Sequence, residues 1–175
     1  MRLPLQLIAL LALVGAGCGG GGGARDLAFS TGDGPATIEL GTGIDAFTPF
    51  VDGQPAQVIH GPQGGYHIIT AILAHGIWPG TQGQPTAPDD PTTTLRAFRA
   101  DGTEFEITGE LLNVFHLPYA PAGDGAWLGD RLLRLMIPSP STIAGERLLL
   151  RAEVVDRDGR MDSDEKHVVA VPPVN

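Results

Sequence analysis

The stretch that decides the fold is Arg147-Leu148-Leu149-Leu150-Arg151-Ala152-Glu153-Val154-Val155-Asp156, with Arg157-Asp158-Gly159-Arg160 directly after it. Leu148, Leu150, Ala152 and Val154 recur with a period of two, while Arg147, Arg151 and Glu153 fall on the opposite face. That is a half-buried β-strand. Asp156 to Arg160 has the composition of a turn, and His167 to Val171 reads as the returning strand. Pro172-Pro173 stops it, because proline has no N–H to give to a ladder.

Working outward, Thr103 to Leu112 repeats the pattern. Phe105, Ile107 and Leu111 share one face, and Glu104, Glu106, Thr108 and Glu110 share the other. Asp101-Gly102 before it suits a tight hairpin turn that needs positive φ, and Leu95 to Arg99 supplies the partner strand. Thr37 to Leu40, Ala56 to His60 and Tyr66 to Ile77 read as further strands. The last is apolar on both faces and is therefore expected in the middle of its sheet. Leu128 to Ile137 also fits one face of a helix through Leu128, Leu132, Leu135 and Met136, but Pro138 and the strand-rich surroundings favour β. Prolines (15) and glycines (25) interrupt the chain too often for long helices. The expectation is one all-β domain over residues 35–175, an antiparallel β-sandwich of seven or eight strands. Ala144-Gly145-Glu146 through Asp156-Arg157-Asp158-Gly159 to Val171-Pro172 resembles the closing strands of immunoglobulin-like domains in bacterial surface proteins. The cysteine pair of antibody domains is absent, since the chain has one cysteine.

That cysteine belongs to the start of the chain. Arg2 gives a positive beginning, Leu3 to Val14 form an apolar run too short to span a bilayer, and Gly15-Ala16-Gly17 are small residues followed by Cys18. This arrangement resembles the lipobox of bacterial lipoproteins, in which the cysteine becomes the lipid-bearing N-terminus. Gly15 departs from the family, which usually has Leu there. The resemblance implies a signal peptide over 1–17, lipid on Cys18, and attachment to a membrane of the cell envelope. Gly19 stands where an Asp can retain a lipoprotein in the inner membrane, so the outer membrane is the expected address. The other reading is an ordinary secretory signal cut near Ala16 or Ala24. Residues 18–34 are glycine-rich and are expected to act as a tether.

The net charge is −9, and removal of the leader with Arg2 makes it −10. An acidic chain repels nucleic acid and anionic lipid headgroups, so neither is an expected partner. No Gly-x-Ser-x-Gly elbow, His-Glu-x-x-His helix, phosphate loop or dinucleotide fingerprint occurs, and the chain is read as a non-enzymatic binding module without a cofactor. Its expected partner is an envelope protein or polysaccharide. Trp78, Tyr119 and Trp127 lie in or beside the irregular stretches Pro79–Pro91 and Pro118–Gly129, where they can stack on a sugar ring or anchor a protein.

The alternative is an envelope protein that binds Cu²⁺ or Zn²⁺ through His60 and His67, completed by His116. The segment His60-Gly61-Pro62-Gln63-Gly64-Gly65-Tyr66-His67 leaves its register open. A five-residue loop pairs His60 with Tyr66 and sends His67 to the opposite face, whereas a four-residue loop keeps both histidines together. His75 lies too far along the strand to join them. The acidic run Asp156, Asp158, Asp162, Asp164 and Glu165 offers carboxylates for Ca²⁺ but lacks EF-hand spacing, and is read as a solvated, charged hairpin.

Overall fold

The computed structural model describes residues 34–61, 64–84, 86–105 and 113–173. The leader, Cys18, nearly all of the tether and residues 106–112 of the expected Thr103–Leu112 strand lie outside them. Ten strands occur among the described residues: β1 (Thr37–Thr42), β2 (Thr48–Pro49), β3 (Gln54–His60), β4 (Tyr66–His75), β5 (Thr92–Arg99), β6 (Val114–His116), β7 (Ala120–Ala122), β8 (Gly125–Leu135), β9 (Arg147–Val155) and β10 (Met161–Val171). A single turn of 3-10 helix spans Pro140–Thr142.

The strands form one mixed sheet curled into two layers. In the first, β7 pairs with β8, β8 with β4, and the other edge of β4 with β1 and then β3. In the second the order is β6-β5-β9-β10. Placing β1, β4, β8 and β7 as A, B, E and D, and β5, β9 and β10 as C, F and G, gives the strand order of an immunoglobulin-like sandwich. The all-β sandwich expected from the alternation is therefore present, with β4 central as its two apolar faces required. One pair departs from the antiparallel expectation. Gln54 to Gln57 of β3 run parallel to Val168–Val171 of β10, while Val58 to His60 of the same strand pair antiparallel with β4. Strand β3 thus crosses from one layer to the other and seals that side.

Leu148, Leu150, Ala152 and Val154 are all completely buried and meet Leu40, Val58, Ile68, Ile72, Leu95 and Leu133 in a single core. Each such Leu, Val or Ile side chain contributes roughly 1.5–3 kcal/mol through the apolar area removed from water. The hairpin turn at Asp101-Gly102 forms as expected, with Gly102 at φ 84° and the Arg99 N–H donating to the Thr103 carbonyl at 2.8 Å. The Phe105 N–H then donates to the Ala97 carbonyl at 3.0 Å, and its ring is buried. Residues 128–137 are strand up to Leu135 rather than helix.

Two segments differ from the expectation. Pro118–Gly129 is mostly the β7–β8 hairpin, turning at Gly123-Asp124, and not an irregular loop. Strand β10 begins at Met161, six residues before His167; its inward positions there, Asp162 and Asp164, are acidic and break the apolar alternation. Asp162 and Asp164 accept hydrogen bonds from the backbone N–H groups of Ile38 and Leu40, at 2.9 and 2.7 Å. Side-chain carboxylates thus take the place of ladder carbonyls along the upper half of the β1–β10 seam.

Candidate functional site

The histidines are settled by register. His60 stands opposite Tyr66 and Ile59 opposite His67, the five-residue loop, so the two histidines lie on opposite faces of their ribbon. His60 is exposed and meets Tyr66 edge-on, ring centroids 5.6 Å apart. His67 is only 7% exposed, on the outer face beside Ile59 and its β8 neighbour Arg134. Its ring fills the space over Gly61, where a Cβ would stand 2.3 Å from His67 Cε1. Burial, then the Arg134 charge, then His60 push its pKa below the ordinary histidine value. His116 is on β6, in the second layer, with Nδ1 3.1 Å from Thr92 Oγ1. The structure therefore does not bring His60, His67 and His116 together. Among the described residues no group of three His, Cys, Asp or Glu side chains is placed to hold a metal ion.

The aromatic candidates also separate. Tyr119 is 0% exposed, its hydroxyl 2.7 Å from Thr93 Oγ1 and its backbone N–H donating to the Pro79 carbonyl at 2.7 Å. Burial pushes its phenol far above the usual range, against the small opposing effect of the Thr93 hydrogen bond. It is a core residue, not a contact for a partner. Trp78 lies in the loop after β4 under the Arg157 guanidinium, 3.6 Å from the ring centroid. Trp127 is elsewhere, on the outer face of the first layer, paired with Leu73 and Ala120. Its ring lies across Gly129, where a Cβ would come within 2.4 Å of it.

Around Trp78 the acidic run serves the structure. Asp156, with no side-chain exposure, accepts hydrogen bonds from the backbone N–H groups of Trp78, Asp158 and Arg160 at 2.7, 2.9 and 2.9 Å. The Arg160 Nε is 3.3 Å from it, and Arg160 Nη1 donates to the Gly76 carbonyl at 2.9 Å. A carboxylate that neutralises several backbone donors is the usual way to close such a turn. Asp156, Asp162 and Asp164 are thus committed to the fold, which corrects the picture of a solvated hairpin. The chain also enters the sandwich at this end, since the Pro35 carbonyl lies against Gly76.

The opposite half carries a feature that the sequence reading missed. On the outer face of the second layer, Phe98, Leu149 and His167 form one row across β5, β9 and β10, next to Arg96, Arg151 and Glu165. Phe98, Leu149 and His167, with Arg99, Ala100, Gly102, Arg147 and Arg151, line an open cleft of about 520 Å³, within the range of small-molecule sites. Phe98 and Leu149 are half-buried and form its apolar surface. Arg99 pairs with Glu146 at 2.6 Å and Arg151 pairs with Glu165, its guanidinium 5.4 Å from the Phe98 ring centroid. His167 Nδ1 is 4.0 Å from Asp52. Arg147 is exposed and forms no ion pair among the described residues. The signal was present in Arg147-x-Leu149-x-Arg151, where an apolar residue occupies an outward position between two arginines. Three guanidiniums line this cleft in an acidic chain; Glu146 and Glu165 match two of them, and Arg147 is left without an ion pair among the described residues. Compared with known protein families, curated proteins and solved structures, the chain finds no match.

Proposed function

We propose that this protein is a membrane-tethered, non-enzymatic binding module of the cell envelope, held by lipid on Cys18 in the outer membrane and working through the cleft between Phe98 and Arg147. The observation that carries the reading is one of placement. The tether joins the sandwich at the Gly76 end, whereas the cleft lies where β5 ends and β9 begins. Six residues of β5 separate Thr92 from Phe98, about 20 Å at the usual strand rise. The tether thus attaches beside the acidic turn, and the arginine-lined cleft lies toward the end of the domain remote from the attachment. Two acyl chains suffice for stable anchoring.

The intact mass of the mature N-terminus tests the anchor. A di- or triacylated Cys18 is expected, and an unmodified chain starting elsewhere removes the tether from the account. Capture from envelope extracts on the immobilised protein tests the cleft. Arg147→Glu is expected to abolish capture while Trp78→Ala preserves it, and the reverse result moves the working surface to the tethered end.

A further inference from the structure

We propose that the cleft takes an amphiphilic monocarboxylate, a ligand with one carboxylate and an apolar body, with the carboxylate on Arg147 and the body on Phe98 and Leu149. This deepens the binding-module reading and rests on it. Charge sets the class. Of the three lining guanidiniums, Arg99 and Arg151 are already matched by Glu146 and Glu165, which leaves Arg147 as the one in the cleft with no ion pair among the described residues. A polyanionic chain would need several free cations to gain from each of its charges, and a ligand with one negative charge needs only this one. The guanidinium fork matches a carboxylate with two parallel hydrogen bonds. Next to it, the half-buried Phe98 and Leu149 offer apolar area that a wholly polar anion would leave wet. The Arg151 guanidinium, 5.4 Å from the Phe98 ring centroid, borders that surface.

The chain without its leader is the material for the test, since the buried core of the described residues lies between Leu40 and Ala170. Octanoate is titrated against it, with octanol as the neutral analogue and acetate as the anion without a body. Octanoate is expected to bind saturably, and octanol and acetate about tenfold or more weaker, the loss of one charge-assisted hydrogen bond or of the apolar contact. Arg147→Gln is expected to reduce octanoate binding to the octanol level, leave octanol unchanged, and keep the thermal midpoint. Phe98→Leu, which retains an apolar floor, is expected to weaken both compounds alike. Absence of saturable octanoate binding, equal binding of octanol, or indifference to Arg147→Gln overturns the proposal. If octanoate fails while Arg147→Glu still abolishes capture from extracts, the ligand class falls and the binding module stands. Octanoate binding together with capture that ignores Arg147→Glu supports the ligand class and removes the envelope partner.

Discussion

The two ends of this sandwich treat charge in opposite ways. At the end where the chain enters, Asp156 is buried and accepts three backbone N–H groups, Arg160 reaches both Asp156 and a carbonyl, and Arg157 covers Trp78. Charge there is spent on holding loops together. At the far end, on the outer face of the second layer, Arg147 is exposed and unmatched beside an apolar floor. The difference separates charged residues that make the fold from charged residues left free for a ligand. A count of charges along the sequence does not make that distinction.

The comparison breaks most visibly at Asp156. Asp156→Ala leaves the part-buried N–H groups of Trp78, Asp158 and Arg160 without their buried carboxylate acceptor, while the Arg160 guanidinium keeps Asp158 and the Gly76 carbonyl. The substitution is expected to cost about 3–5 kcal/mol, measured as a shift of the denaturation midpoint. A cost under about 1 kcal/mol would mean that the tethered end is not organised around this carboxylate.

Asp164→Ala removes the acceptor of the Leu40 N–H and is expected to cost about 1–3 kcal/mol. Hydrogen exchange sharpens this expectation. The Leu40 amide should exchange faster in the variant, while Val168 to Val171, held by a true ladder with β3, should not change.

Tyr119→Phe is expected to cost about 1 kcal/mol, because Thr93 Oγ1 loses its partner in a dry site. The same residue gives a pH dependence. Its folded pKa is raised by burial, so its contribution is complete below the unfolded value of about 10 and is lost as pH rises above it. Wild-type stability should decline above that pH more steeply than that of Tyr119→Phe. Parallel alkaline declines would place the Tyr119 phenol in contact with solvent. The smallest effect is expected at Arg147, where Arg147→Gln should change stability by no more than about 0.5 kcal/mol. A larger loss would give Arg147 a structural role and close the contrast between the two ends.

Period-two alternation made much of the fold legible wherever the inward residues are apolar, as at Leu148 to Val154 and at Leu95 and Ala97. It failed where the inward residues are polar. Asp162 and Asp164 hid the first half of β10 because their partners are backbone amides more than 120 residues away. The crossing of β3 from one layer to the other was also invisible, since Gln54 to His60 alternates in the same way whether its neighbour is β10 or β4. Register could be framed but not decided. The loop between His60 and His67 left two arrangements open, and the packing of His67 over Gly61 goes with the one that parts the histidines. The aromatic residues misled because proximity to a loop does not reveal exposure, and Tyr119 proved fully buried. The cleft escaped notice for the reverse reason. Leu149 is an outward apolar residue in a strand whose alternation already supplies a core face, and Phe98 becomes its neighbour only through the β5–β9 register.

The most direct test of the account is a residue-resolved NMR titration of the leaderless chain with octanoate. The account predicts saturable shifts confined to the amides of Phe98 to Gly102, Arg147 to Arg151 and His167, with the Trp78 and Trp127 indoles unmoved. Shifts centred on either tryptophan, or none that saturate, would contradict it.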